Sequence, residues 1–522
     1  VVGRWWEIRN SNFEIRNASR GTVSRVIAPR ARHFRIVVQA IFLLSFIALF
    51  WGLAEPRVPA KVASILLALD PLTSIGTTLS DWTISGWTWI GLAVLALTAV
   101  LGRFFCGWVC PLGTLQHLVS WVAGPEKRKR PKINRYRRWF SIKYIILTVL
   151  LVWAVFGANH IGWLDPIPLL HRAFASGVRP MWHGGLSPAG WVSFGLLATI
   201  LLMSAMIPRF FCRAVCPLGA LMGVFARLAP LRIRRDDPNS CTGCTLCIFA
   251  CQGADEPLDE HRVSECHVCL NCLGSCPEES LRYGPVRDLA PAPTPALDVG
   301  RRRFLLAAAG SAVFAPVLRF AGSGDEGRAH DAIRPPGALD EEAFLSRCIT
   351  CGACSASCPT GVIHADIGKT GVEGLFTPIL DMRRGWCEPS CIRCGEVCPT
   401  DAITTLDPKA KQAIGGPAEV NIGTAFVDRG RCLPWGMETP CIVCEEMCPT
   451  SPKAVWLETV EITRRDGKRV ALQRPSVQPD LCTGCGLCEN RCPVGERAAI
   501  RVSSVGETRD PRNQILQKRS NV

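Results

Sequence analysis

An α-helical membrane domain of four spans, built as two hairpin repeats and followed by small α+β domains organised around cysteine quartets, is the architecture this sequence predicts. Three observations carry it. Four stretches, residues 35–54, 87–105, 141–158 and 190–208, are apolar over the roughly 20 residues needed to cross a bilayer core of about 30 Å. RFFCGWVCPLGTL at 103–115 recurs as RFFCRAVCPLGAL at 209–221, and Leu69-Asp70-Pro71-Leu72 recurs as Leu164-Asp165-Pro166-Ile167. All 28 cysteines fall into ligand-like groups, six sets of four plus two Cys-x3-Cys-Pro pairs.

At 522 residues the chain has room for three or four units. Residues 1–34 repeat Glu-Ile-Arg-Asn and offer no periodicity, so they are expected to be a disordered extension. Residues 35–235 form the four-span domain, 236–290 a two-quartet domain, 291–330 a proline-rich linker with an apolar segment, and 331–522 a four-quartet domain. The spans are flanked by Trp51, Trp87, Trp89 and Trp191, which suit a membrane interface better than a buried core.

Basic residues orient the spans. Arg25, Arg30, Arg32 and Arg35 precede the first, and Lys127, Arg128, Lys129, Arg130, Lys132, Arg135, Arg137, Arg138 and Lys143 separate the second from the third. Arg213, Arg227, Arg232, Arg234 and Arg235 follow the fourth. The positive-inside rule puts these segments, and both ends of the four-span unit, in the cytoplasm. Much of the net charge of +15 is concentrated there, where it serves topology and contact with anionic membrane lipid. No nucleic-acid-binding module is recognisable.

Each quartet has or approximates the spacing C-x2-C-x2-C-x3-C, usually with proline next, which is the ligand run of bacterial [4Fe-4S] ferredoxins. The soluble parts therefore read as bacterial-type ferredoxin-like α+β domains, with βαβ pairs and six [4Fe-4S] clusters. Three closely spaced cysteines reach three corners of one cubane, and the fourth points to the neighbouring one. Trading ligands on that rule groups Cys241, Cys244, Cys247 with Cys276, and Cys266, Cys269, Cys272 with Cys251. It groups Cys348, Cys351, Cys354 with Cys398, and Cys387, Cys391, Cys394 with Cys358. The last two sets are Cys432, Cys441, Cys444 with Cys492, and Cys482, Cys485, Cys488 with Cys448. The long gap after Cys432 makes it the weakest ligand on spacing, and Gln252 stands where proline follows the other fourth cysteines. Zinc sites separate two C-x2-C knuckles by a longer loop, and disulfide frameworks do not explain repeated triads.

The repeat places Cys106, Cys110, Cys212 and Cys216 at the inner ends of the second and fourth spans. Thiols four residues apart share one helical face, so each pair could act in redox exchange or help hold a metal. Buried, inert cysteines are the plainer reading. Asp70 and Asp165 are candidate contacts for a quinol at the outer face, or N-caps with proline at the first helical position. His33, His117, His160, His171 and His183 lie at span ends or in loops, and there is no C-x2-C-H run, so no haem is expected.

After Ala290-Pro291-Ala292-Pro293-Thr294-Pro295, Arg301-Arg302-Arg303-Phe304-Leu305 leads into AAAGSAVFAPVL, which looks like a twin-arginine signal inside a chain. If it crosses the membrane, two clusters lie in the cytoplasm and four in the periplasm. A helix packed on the ferredoxin units is the alternative.

On these motifs the first 290 residues resemble NapH/MauN-type membrane ferredoxins, and the remainder resembles the NapG/MauM-type ferredoxins with their twin-arginine leader. The chain is similar to a fusion of the two. That resemblance implies a protein of the bacterial inner membrane that relays electrons from the quinol pool to a periplasmic reductase or c-type cytochrome. A different class competes: an assembly or regulatory factor that uses its clusters to reduce or mature a metalloenzyme. Methionine- or histidine-rich tracts, expected for metal handling, are lacking among 7 Met and 9 His. No catalytic pocket motif or nucleotide fingerprint is present.

Overall fold

The helical domain is a two-fold repeat whose unit is larger than a hairpin. In the computed structural model, which describes residues 24–514 apart from 54, 56–57, 85, 125–129, 179–187, 236–240, 257–260, 286–298, 324–331, 464–466 and 468, each half runs through the same five elements. The first half has Ser24–Gly52, Pro71–Asp81, Thr88–Leu101, Phe104–Trp108 and Pro111–Val122; the second has Ile142–Val155, Pro166–Ala173, Pro188–Met206, Phe210–Ala214 and Pro217–Ala226. Prolines Pro71, Pro111, Pro166 and Pro217 each open a short helix at its first position, where no backbone N–H is needed.

Three helices are long and apolar enough to cross a membrane: Arg32–Gly52, Arg138–Val155 and Pro188–Met206. The second expected span is shorter. Thr88–Leu101 has 14 residues and stops at Gly102, whose φ of 79° a side chain rarely adopts. The first helix also begins at Ser24, so the expected extension over 1–34 ends earlier than its composition suggested; residues 1–23 lie outside the described part. Large apolar side chains such as Leu44, Trp89, Trp191 and Leu202 point outward, while Phe46, Phe50, Leu72, Leu112, Phe211 and Leu218 fill the interior. That inverted surface suits lipid. Lys127, Arg128 and Lys129 lie outside the described residues.

Two cysteine-rich units grip opposite ends of the first helix. Arg35, near its start, donates to the Cys269 carbonyl at 2.9 Å, and Arg393 donates to Leu53 O at 3.0 Å and Glu55 O at 3.1 Å at its finish. Eighteen residues of helix separate these anchors, about 27 Å at 1.5 Å per residue. The first unit is closed by β1 (Leu231–Arg235) and β2 (Leu281–Pro285). The second contains β3 (Ile363–Ala365) with β4 (Pro378–Leu380), β5 (Thr424–Val427) with β8 (Ile500–Ser503), and β6 (Val455–Thr463) with β7 (Arg469–Val477). All four pairings are antiparallel two-stranded ribbons, not βαβ crossovers. β1 with β2 and β5 with β8 each pair a strand before one cysteine run with a strand after its partner, which makes those two ribbons clasps around both runs, whereas β3–β4 and β6–β7 are hairpins between runs.

Helix Arg301–Ser323 packs along Ile142–Val155, with Ser311 buried and its hydroxyl donating to Val149 O at 3.2 Å. It therefore lies on the membrane domain, not on the ferredoxin units. The proline-rich stretch 291–295 lies outside the described residues.

Candidate metal centres

The cysteine runs fold as tight loops that end in one-turn helices, among them Leu246–Ala250, Asn271–Ser275, Ala353–Ser357 and Leu487–Arg491. Left-handed residues set their entry, including Gly352 at φ 72° and Gly486 at φ 75°. The side chains then meet across runs. Cys241, Cys244, Cys247 and Cys276 line one cavity of about 330 Å³; Cys358, Cys387, Cys391 and Cys394 line another of about 330 Å³. Cys432, Cys441, Cys444 and Cys492 line a third of about 360 Å³. Cys432 reaches its set because helix Leu433–Gly436, which it precedes, turns the long gap back on itself.

The remaining sets are close electrostatic neighbours: Cys251 with Cys269 and Cys272 with both, Cys266 with Cys269 and Cys272, Cys348 and Cys351 with Cys398, and Cys482, Cys485 and Cys488 with Cys448. Among the described residues no three of these groups stand at the spacing of a single ion. Four soft thiols converging on one space fit an iron–sulfur cubane and fit a lone zinc ion poorly. Burial pushes the Cys351 and Cys485 thiols up to about 12. A cluster must displace such protons when it binds.

The sets form a line within each unit. Cys272 neighbours Cys247, Cys354 neighbours Cys394, Cys485 neighbours Cys387, and Cys488 neighbours Cys444. Backbone joins the middle of the longer line, where Cys387 N donates to Cys485 O at 2.8 Å. At the bundle, the set of Cys266, Cys269, Cys272 and Cys251 is proximal, since Trp108 Nε1 donates to Val268 O at 2.9 Å and Arg213 Nε to Gln252 O at 3.0 Å. At the far end the loop of Cys348 and Cys351 is proximal. His171 Nδ1 lies 2.8 Å from Cys351 O, Asn159 donates to Ser346 O at 3.0 Å, and Arg347 meets Asp81 at 2.8 Å.

Cys106 and Cys110 do not share a helical face. A residue before proline avoids the helical region, so Cys110 is extended at ψ 116° and begins a new helix, and Cys216 repeats this at ψ 111°. The break turns the four thiols inward. All are buried, and across the repeat Cys106 and Cys212 neighbour each other while Cys110 and Cys216 each neighbour both of them.

Asp70 and Asp165 are fully buried, not at an outer surface. Asp70 caps its helix by accepting from Leu72 N at 3.0 Å, and its carboxyl faces that of Asp165. Sequence reasoning missed the buried cations that position these loops, chiefly Arg103, Arg172, Arg209 and Lys411. Only Arg103 and Arg209 carried a signal, the repeated Arg-Phe-Phe-Cys.

Comparison with known proteins agrees with this chemistry. A 4Fe-4S binding domain family matches residues 85–131 and 189–236, and a second family of that description matches 344–364 and 475–495. The methylamine utilization ferredoxin-type protein MauM of Paracoccus denitrificans is 38% identical over 174 residues, 33% of this chain and 70% of that protein. MauM of Methylorubrum extorquens is 36% identical over 173 residues, 33% of this chain and 72% of that protein. The ferredoxin-type protein NapG of Escherichia coli is 36% identical over 216 residues, 39% of this chain and 85% of that protein. No solved structure matches the chain. With iron–sulfur ligand runs throughout and this degree of identity over most of those relatives, the chain belongs to the MauM and NapG family of ferredoxin-type electron-transfer proteins.

Proposed function

We propose that this protein is a membrane-bound polyferredoxin that takes electrons from the quinol pool and relays them through six [4Fe-4S] clusters to a periplasmic reductase or c-type cytochrome. The observation that supports it best is the pair of cysteine lines, two sets at the basic end of the bundle and four at the other, each line beginning on the bundle itself. On this reading residues up to about 290 are a NapH/MauN-type portion fused to a NapG/MauM-type portion. The basic end faces the cytoplasm, and Arg301–Ser323, with its twin-arginine start, carries the chain to the periplasm.

Each bound cluster supplies a one-electron couple whose potential depends on hydrogen bonds and burial. The protein supplies the order of the sites and the degree of burial of each. Quinol oxidation releases two electrons and two protons. An apolar cleft is lined by Phe42, Phe46, Leu69, Phe105, Pro111 and Ile167, the last four lying within two residues of Asp70, Cys106, Cys110 and Asp165 in the chain. On this reading the facing carboxyls of Asp70 and Asp165 take the protons, and the apolar cleft marks where the quinone ring approaches.

The test is anaerobic stopped-flow reduction of the reconstituted protein by a short-chain quinol, read as bleaching of cluster absorbance. Asp70→Asn with Asp165→Asn should slow reduction by quinol and leave reduction by dithionite unchanged. Clusters that dithionite reduces and quinol does not would end the proposal. A reporter at the C-terminus that reads cytoplasmic would overturn the sidedness.

A further inference from the structure

The helical domain holds a thiol group and two buried charges that the six cysteine sets do not account for. Each of the two segments matched at 85–131 and 189–236 contains only two cysteines, so neither can fill four corners of a cubane alone. The duplication brings the pairs together. Cys110 neighbours Cys106 and Cys212, and Cys216 neighbours Cys212 and Cys106. Contacts between the halves are reciprocal: Gln116 donates to Cys212 Sγ at 3.4 Å, and its repeat-equivalent Met222 lies 3.7 Å from Cys106 Sγ.

The charges are Arg103 and Arg209, equivalent in the repeat and at most 1% exposed. Arg209 Nη1 donates to Cys106 O at 2.9 Å, and Arg103 Nη2 lies beside Gly219 and Cys216. Nε and Nη2 of both have no hydrogen-bond acceptor. Glu265, the acid nearest Arg103 at 3.7 Å, is engaged by Lys143, and Arg209 has no acid partner among the described residues. Buried guanidinium groups left like this are costly, and an anion between them removes the cost.

We propose that Cys106, Cys110, Cys212 and Cys216 jointly hold a seventh iron–sulfur cluster, a [4Fe-4S] cubane shared by the two halves, with Arg103 and Arg209 neutralising its charge. A 2+ cubane on four thiolates carries two negative charges, matched by the two guanidinium groups. Its place is between the two lines. Gly107, next to Cys106, abuts the His267 carbonyl beside Cys266 so closely that a Cβ there would lie 2.2 Å from the oxygen. On the other side Asp165 neighbours Cys106 and Cys216, and Gly162, three residues before it, abuts the Ile349 carbonyl beside Cys348. The centre takes one electron from one neighbour, passing from 2+ to 1+, and returns it to the other with no net proton. This holds whichever molecule donates the electrons.

Anaerobic protein carrying Cys106→Ala, Cys110→Ala, Cys212→Ala and Cys216→Ala should lose four irons and four sulfides relative to the parent, with the ferredoxin spectra retained. Unchanged iron, zinc or copper in place of iron, or a parent chain lighter by two hydrogens per cysteine pair, as a disulfide would be, overturns the proposal. Should that variant fail to fold, Arg209→Gln keeps all four thiols. It should shift one midpoint potential downward and leave the others in place, whereas a purely structural arginine would shift none.

Discussion

Replacing Arg172 by methionine should loosen the contact on which the far cysteine line begins. The guanidinium is 1% exposed and bridges two parts of the molecule, donating to Gly162 O at 3.0 Å and Trp163 O at 3.3 Å on one side, and to Thr350 O at 3.2 Å and Thr350 Oγ1 at 2.9 Å on the other. It also lies 4.3 Å from the centre of the Phe376 ring. A hydrogen bond from a charged donor is worth about 1.5–3 kcal/mol net, and a desolvated cation–π contact about 2. Two bonds and the ring contact cross to the cysteine loop, and the desolvation of the guanidinium offsets part of them, which leaves roughly 3 kcal/mol. Arg347–Asp81, Asn159 and Arg393 remain, so the unit stays docked while the loop opens more often, by about a hundredfold at 1.4 kcal/mol per decade. Hydrogen exchange at the amides of 349–351, measured in nanodiscs, reads that opening directly. Exchange within threefold of the parent would show that Arg172 is a passive filler and that the bridge reasoning is wrong.

Lys411→Met removes a buried cation whose Nζ lies 3.5 Å from Cys387 Sγ and donates to Glu388 O at 2.9 Å; a redox titration should show one cluster harder to reduce and the rest unmoved. Gly484→Ala puts a Cβ 2.5 Å from Gly423 O at a φ of 72°, a strain of about 1–3 kcal/mol; iron analysis should show the set of Cys482, Cys485, Cys488 and Cys448 depleted. For Glu341, burial alone would raise the carboxyl, but Arg334 and Arg509 hold it down to about 2 against an ordinary 4.5. Its contribution is therefore complete above about pH 4.5 and lost as pH falls through 2. Glu341 is 36% exposed, so Glu341→Gln should cost about 1 kcal/mol at pH 7 and flatten the stability profile between those limits, as acid-dependent melting checks.

The thiol groupings are legible in the sequence because the rule behind them is local: three cysteines at two-residue gaps can close only on one small centre, and the fourth is carried off by the next helix. The same locality explains the failures. Asp70-Pro71 and Asp165-Pro166 announce helix starts, yet Pro71–Asp81 and Pro166–Ala173 are too short for a hydropathy window to register, so the repeat unit reads as a simple hairpin in the sequence. The shared helical face expected for Cys106 and Cys110 ignored Pro111, which was the signal against it. Arg172 and Lys411 could not have been found, since one acts 178 residues away in the chain and the other by an approach between loops.

Duplication alone would make two equivalent halves, and the differences between them show what the bundle is for. At one repeat position Gly107 lets the His267 carbonyl come close, while its counterpart Arg213 reaches out to Gln252 O and Cys251 O. Both contacts fall on the same proximal set, one beside Cys266 and the other at Cys251. A symmetric bundle thus offers one asymmetric socket, which seats a unit with one set against the membrane domain and the other, with Cys244 exposed, away from it. The second half supplies most of the far socket, through Asn159, Gly162, His171 and Arg172, and the first half adds Asp81 and the end of its long helix. Electron transfer weakens exponentially with distance, so fixing which set touches the bundle at each end matters more than the number of sets behind it. Exchanging Gly107 for arginine, which its counterpart tolerates, should therefore unseat the proximal set, with faster exchange in residues 264–269 and no change in 348–354. Equal loosening at both ends would mean that the sockets are not independent.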